Sequence, residues 1–122
     1  MNANPIKVSI RYSVYERDKY TCQYCGVSIG KKNSKDLTVD HIVTKSSGGL
    51  HHEDNLRTSC RLCNSRRSEK SIDEFRFLMR MHLAGIGGVI SIAQAKELMR
   101  RGVNLNLPSD HKFYFEDVNL GK

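Results

Sequence analysis

The stretch LTVDHIVTKSSGG, residues 37–49, decides how the chain is read. Leu37, Thr38, Val39, Ile42 and Val43 have the composition of a short buried strand. Asp40 and His41 stand side by side at its centre. A carboxylate moved out of water costs several kcal/mol unless something pairs with it. Either the strand ends in a polar site or it is no buried strand, and the flanking sequence decides between the two.

Four cysteines flank this stretch in two pairs, Cys22 and Cys25 in CQYC, Cys60 and Cys63 in CRLC. Each CxxC can present two thiolates to one metal from a tight turn, and two such knuckles complete a tetrahedral zinc site. Gly26 after the first pair and Asn64 and Ser65 after the second suit such turns. A redox motif, a disulfide pair and buried thiols are the alternatives. Two CxxC motifs with no other cysteine favour zinc. Four thiolates close the coordination shell, so the metal is structural. The 34 residues between Cys25 and Cys60 exceed the roughly 15–20 of a usual ribbon. An insert therefore separates the knuckles, and it contains residues 37–49.

At 122 residues the chain has room for one domain with an extension, and a core this small gains from a metal staple. No apolar run approaches the ~20 residues of a membrane span. The stretch MNANPIKVSIRY lacks an apolar signal core, so no secretory signal and a cytoplasmic setting are expected. The net charge is +7, and residues 1–70 hold 13 Lys/Arg against 7 Asp/Glu. That imbalance fits a polyanionic partner such as nucleic acid, and equally a plain soluble basic surface.

From Asp36 to Arg67 the chain reads DLTVDHIVTKSSGGLHHEDNLRTSCRLCNSRR, a strand, a loop, a short strand and a helix. Asp40, His41, Asn55 and Asn64 are its fixed polar points. This text, with RYSVYERDKYTCQYCG before it, resembles the HNH endonuclease family over about residues 11–70. The resemblance is to the subgroup in which four cysteines brace a ββα-metal unit with structural zinc. The third signature position is Asn64 where histidine is common, and asparagine there also occurs in the family.

The resemblance implies an α+β fold, a ββα-metal core with flanking helices, and metal-dependent hydrolysis of DNA phosphodiester bonds. His41 is then the general base, since an imidazole of pKa ~6.5 can take a proton from water near neutral pH. Asp40 and Asn64 offer hard oxygen ligands suited to Mg²⁺ or Mn²⁺. Asn55 is a structural member that holds the loop around His41. Side chains of a regular strand alternate between faces, so an irregularity is expected at residues 40–42 if Asp40 and His41 serve one phosphate. His51 and His52 read best as solvated loop residues, and His82 and His111 lie outside the motif.

Lys45, Arg57, Arg61, Arg66, Arg67 and Lys70 surround this region in sequence, and Arg66, Arg67, Lys45 and Lys70 are the expected phosphate contacts. No base-reading motif is visible, so recognition of double-stranded DNA through its backbone with low sequence specificity is expected. Residues 9–20 read as a helix capped by Ser9. Residues 71–122 read as a helical extension packed on the 1–70 core. Capping-box patterns Ser71/Glu74 and Ser91/Gln94 open two helices there, Gly102 closes the second, and HKFYFEDV alternates like a strand. The extension could serve a protein partner or self-association. The rival functions are a non-cleaving zinc-dependent nucleic-acid-binding module and a phage packaging adaptor. A bacterial or phage-infected cell is the expected setting.

Overall fold

The computed structural model describes residues 6–120. The chain divides into two compact units, Met1–Glu69 with Phe113–Lys122, and Lys70–Lys112.

The first unit is built on a two-stranded antiparallel hairpin. Strand β1, Leu37–His41, pairs with β2, Leu56–Cys60, in an unbroken register from Leu37↔Cys60 to His41↔Leu56. Helix α1, Val8–Arg17, buries Val14 and Tyr15 against Leu37, Val39 and Leu56. Each such side chain taken fully out of water contributes about 1.5–3 kcal/mol. Ser9 does not cap this helix. It lies inside the first turn, and Lys7 stands at the cap without a side-chain bond. Ile6 and Ile10, one turn apart, both pack on the core, so apolar anchorage sets where α1 starts.

Between α1 and β1 the first CxxC folds as a tight turn. The Cys22 N–H donates to Val27 O and the Ile29 N–H to Tyr20 O, both at 2.9 Å. After β2, helix α2, Arg61–Arg67, begins at once, with Cys60 as its cap. Thus α1 covers the face of the hairpin that carries Leu37 and Val39, and α2 also lies against both strands.

The strand expected over HKFYFEDV is instead helix α5, Tyr114–Leu120, preceded by Phe113. Its first backbone donors have found acceptors other than a strand. The Tyr114 N–H donates to Tyr24 O at 3.0 Å and the Phe115 N–H to Gln23 O at 2.8 Å, while Glu116 Oε1 accepts the Phe113 N–H. The alternating aromatics Phe113 and Phe115 both meet the Tyr24 ring, at centroid distances of 5.4 and 6.3 Å.

The second unit holds α3, Ile72–Leu83, and α4, Ile92–Arg100. Both expected capping boxes are formed, Ser71 with Glu74 and Ser91 with Gln94. Gly102, at φ 92°, follows the end of α4 in the left-handed conformation that favours glycine. Among the described residues no helix is long and apolar enough to cross a membrane.

Candidate nuclease site

At the β2 end of the hairpin the four cysteines are unbridged and their sulfurs all lie within 4.8 Å of one another. Four sulfurs ~2.3 Å from a common centre stand ~3.8 Å apart at the corners of a tetrahedron. Cys25 Sγ and Cys60 Sγ are 3.8 Å apart. A disulfide would need ~2.05 Å. In each knuckle the backbone N–H of the second cysteine donates to the first cysteine's sulfur, Cys25 to Cys22 at 3.5 Å and Cys63 to Cys60 at 3.4 Å. A hydrogen bond from the Cys63 side chain first, and backbone N–H groups such as that of Cys25 next, lower the pKa of the Cys22 thiol below its ordinary value. The donor set and its spacing fit one structural zinc, held by Cys22, Cys25, Cys60 and Cys63.

The opening question, what neutralises Asp40 within the strand, has a protein answer. Asp40 is 7% exposed, and its Oδ2 accepts from Arg67 Nη1 at 2.7 Å and from the Tyr24 hydroxyl. Arg67, on the last turn of α2, is 1% exposed. Its guanidinium also donates to the carbonyls of His41, at 2.6 Å, and Ile42, at 2.8 Å. The expectation that Arg67 holds phosphate at the surface is thereby corrected. The residue is buried because it neutralises a buried carboxylate and grips the backbone of the catalytic candidate. Both bonds to Asp40 land on Oδ2, which leaves Oδ1 without a protein partner among the described residues. Burial and the neighbouring Asp40 charge push the Tyr24 hydroxyl's pKa up, so it stays a donor to that carboxylate.

His41 closes β1. The pairs Asp40↔Arg57 and His41↔Leu56 are consecutive, so no bulge separates the two residues and the strand simply stops after His41. The irregularity expected at 40–42 takes the form of the strand's end. The ring of His41 meets His51, with Nε2 to Nδ1 at 2.9 Å. Desolvation first, and the nearby His51 second, lower the His41 pKa below its ordinary value.

Asn55 ties the intervening loop shut. Its Oδ1 accepts the Val43 N–H at 2.8 Å, and its Nδ2 donates to Val43 O at 3.1 Å and Leu50 O at 2.9 Å. Gly49 is required beneath it, because a Cβ there would stand 1.8 Å from Val43 O. Asn64 sits on α2 one turn before Arg67, half-buried, and α2 packs on β1.

The remaining cations separate. Lys45 is exposed in the same loop, close enough for its charge to bear on His41. Arg66 and Lys70 are half-buried. Arg57 faces inward, its guanidinium carbon 3.8 Å from the Phe115 ring centroid and 5.5 Å from that of Tyr24. Burial lowers its pKa, and a neighbouring ring face offers it a favourable quadrupole.

Sequence reasoning missed Tyr24 and Phe115, and read His51 as a solvated loop residue where the structure half-buries it against the His41 ring. Tyr24 lies inside the CQYC knuckle, where only the cysteines draw notice. His51 had a signal, a histidine pair just after the glycines of the loop.

No curated protein matches the chain. Residues 22–70, which hold both knuckles, both strands and α2, match the family model of HNH endonuclease.

Proposed function

We propose that this protein is a metal-dependent endonuclease that hydrolyses DNA phosphodiester bonds with His41 as general base. The observation that supports it best is the placement of His41. It stands at the end of β1, its carbonyl held by Arg67 and its Nε2 engaged by His51. For His41 to act as a base, Nε2 carries the proton and donates it to His51 Nδ1, which leaves Nδ1 to take a proton from water. His51 is thus a positioning residue that selects the tautomer. Asn55 holds the loop that carries His51, through the Leu50 carbonyl.

Asp40 Oδ1 and the Asn64 amide oxygen are hard donors, one with a formal charge and one without, and fit Mg²⁺ or Mn²⁺. A cation held there supplies positive charge to the scissile phosphate and the departing 3′ oxygen. Arg67 and Tyr24 hold the carboxylate through its other oxygen, as partners of a metal ligand commonly do. Lys45 and Arg66 are the cations of the same unit for phosphates beside the cut, and recognition of duplex DNA by backbone and shape follows.

The test is supercoiled plasmid with purified protein in Mg²⁺, in Mn²⁺ or without divalent metal, beside His41→Ala. Wild type should nick or linearise the plasmid only with metal, and His41→Ala should slow cutting by about 10²–10⁴ while keeping its zinc. A wild-type protein that shifts the plasmid but cuts it under no metal condition replaces the enzyme with a nucleic-acid-binding module.

A further inference from the structure

A second concave site lies in the first unit, on the side of β1 that receives the turn Lys31–Asp36. It is a cavity of about 430 Å³ whose wall carries Arg11, Lys32, Lys35 and Arg61. No carboxylate is among the residues that line it. Some cations among the described residues have acidic partners: Arg17 has Asp18, Lys31 has Glu16, Arg67 has Asp40, and Arg100 and Arg101 share Glu97. Arg11, Lys32, Lys35 and Arg61 form none of the ion pairs found among the described residues. Like charges gathered without compensation repel one another, so this arrangement is unfavourable until an anion enters.

Two of the four are also pre-oriented. Arg61 donates through Nε and Nη2 to the Lys35 carbonyl, at 3.0 and 2.8 Å, which leaves Nη1 for another acceptor. Arg11 donates through Nη1 to Thr38 Oγ1 and the Tyr15 hydroxyl, at 3.5 and 3.4 Å, which leaves Nη2. Guanidinium groups held in this way lose little freedom on meeting a phosphate. The hydroxyls of Tyr12 and Ser34, 3.4 Å apart, add neutral hydrogen-bonding groups to the wall.

The cavity adjoins the proposed metal ligands along both elements. Thr38 precedes Asp40 by two residues on β1, about 7 Å on the same strand face. Arg61 precedes Asn64 by three on α2, the spacing of helix-face neighbours. That offset is close to one step between successive phosphates on a strand. We infer that this cavity is a phosphodiester-backbone subsite, which seats a phosphate of the nucleic acid next to the one being cut. The inference rests on the nuclease reading for its occupant, and its contribution is to affinity and register, not to the chemical step.

The test measures binding and cutting separately. In a His41→Ala background, a short fluorescein-labelled duplex is titrated by anisotropy across a salt series. Lys32→Ala/Lys35→Ala is compared with Lys96→Ala/Lys112→Ala, which removes the same charge from the second unit. Both pocket lysines are exposed, so their removal spares the fold, and zinc content checks this. The expected result is a salt slope shallower by about 2 and affinity roughly tenfold weaker for the pocket pair, with little change for the control pair. Arg11→Gln should flatten the slope further. In the otherwise wild-type protein the cutting rate at saturating DNA should be unchanged by the pocket pair. Equal slopes for the pocket and control pairs overturn the inference, as does a duplex that the protein does not bind. A wild-type protein that binds and does not cut removes the nuclease reading, while the difference in slopes still decides the subsite.

Discussion

The two ends of the β1–β2 hairpin are held by different physics. At one end, where Leu37 faces Cys60, four cysteine sulfurs from two short sequence motifs converge within 4.8 Å. At the other, where His41 faces Leu56, Arg67 from α2 and Asn55 from the loop hold the backbone, while His51 meets the His41 ring. The first end is a staple that needs a metal and little else. The second is a polar network in which each member restrains another. Under the proposed function, a small unit would place its metal staple away from its chemistry and leave the His41 end to weaker contacts.

Removing the zinc should break the first end and with it the unit. Cys63→Ser, or a strong chelator, should unfold residues 6–69, since the binding energy of a structural zinc, about 10–16 kcal/mol in small domains, is folding energy. Far-UV circular dichroism with zinc analysis measures this, and a chelated protein with an unchanged spectrum would contradict it.

Arg67→Ala attacks the network instead. It leaves Asp40 buried beside Tyr24 with its charge uncompensated, and should cost about 3–5 kcal/mol in urea unfolding with zinc retained. If Arg67→Ala and the double variant Asp40→Asn/Arg67→Ala are equally destabilised, the ion pair is not what holds this end.

Asn55→Ala removes three hydrogen bonds from the loop and should cost about 1–3 kcal/mol. The loop 43–50 should then show faster amide hydrogen exchange while the cysteine knuckles stay protected.

The smallest effect concerns His51. His51→Ala should lower kcat about tenfold, within the range general acid–base catalysis commands, with KM little changed. His51→Asn, whose amide oxygen can replace Nδ1 as acceptor, should recover most of the loss. Failure of asparagine to rescue would remove the tautomer-setting role and leave His51 as packing.

What could be read from sequence and what could not divide along the same line. The knuckles were legible because metal ligation by CxxC depends on neighbours two residues apart, and the capping boxes because Ser71/Glu74 and Ser91/Gln94 are three apart. The start of α1 was misread from Ser9, since a favourable cap yields to apolar anchorage by Ile6 and Ile10. The tail alternates aromatics like a strand, yet Tyr24 and Gln23 carbonyls take the backbone donors that a sheet would have needed.

By itself, then, the sequence determined the four-cysteine cluster, the order strand–loop–strand–helix and the resemblance to HNH endonucleases. All three rest on short-range spacing, which survives without a fold. Only the tertiary structure decided that Arg67 answers Asp40, that His51 meets His41, and that Arg11, Lys32, Lys35 and Arg61 share one cavity. Those facts depend on which charges are desolvated together, and burial is a property of the packed chain alone.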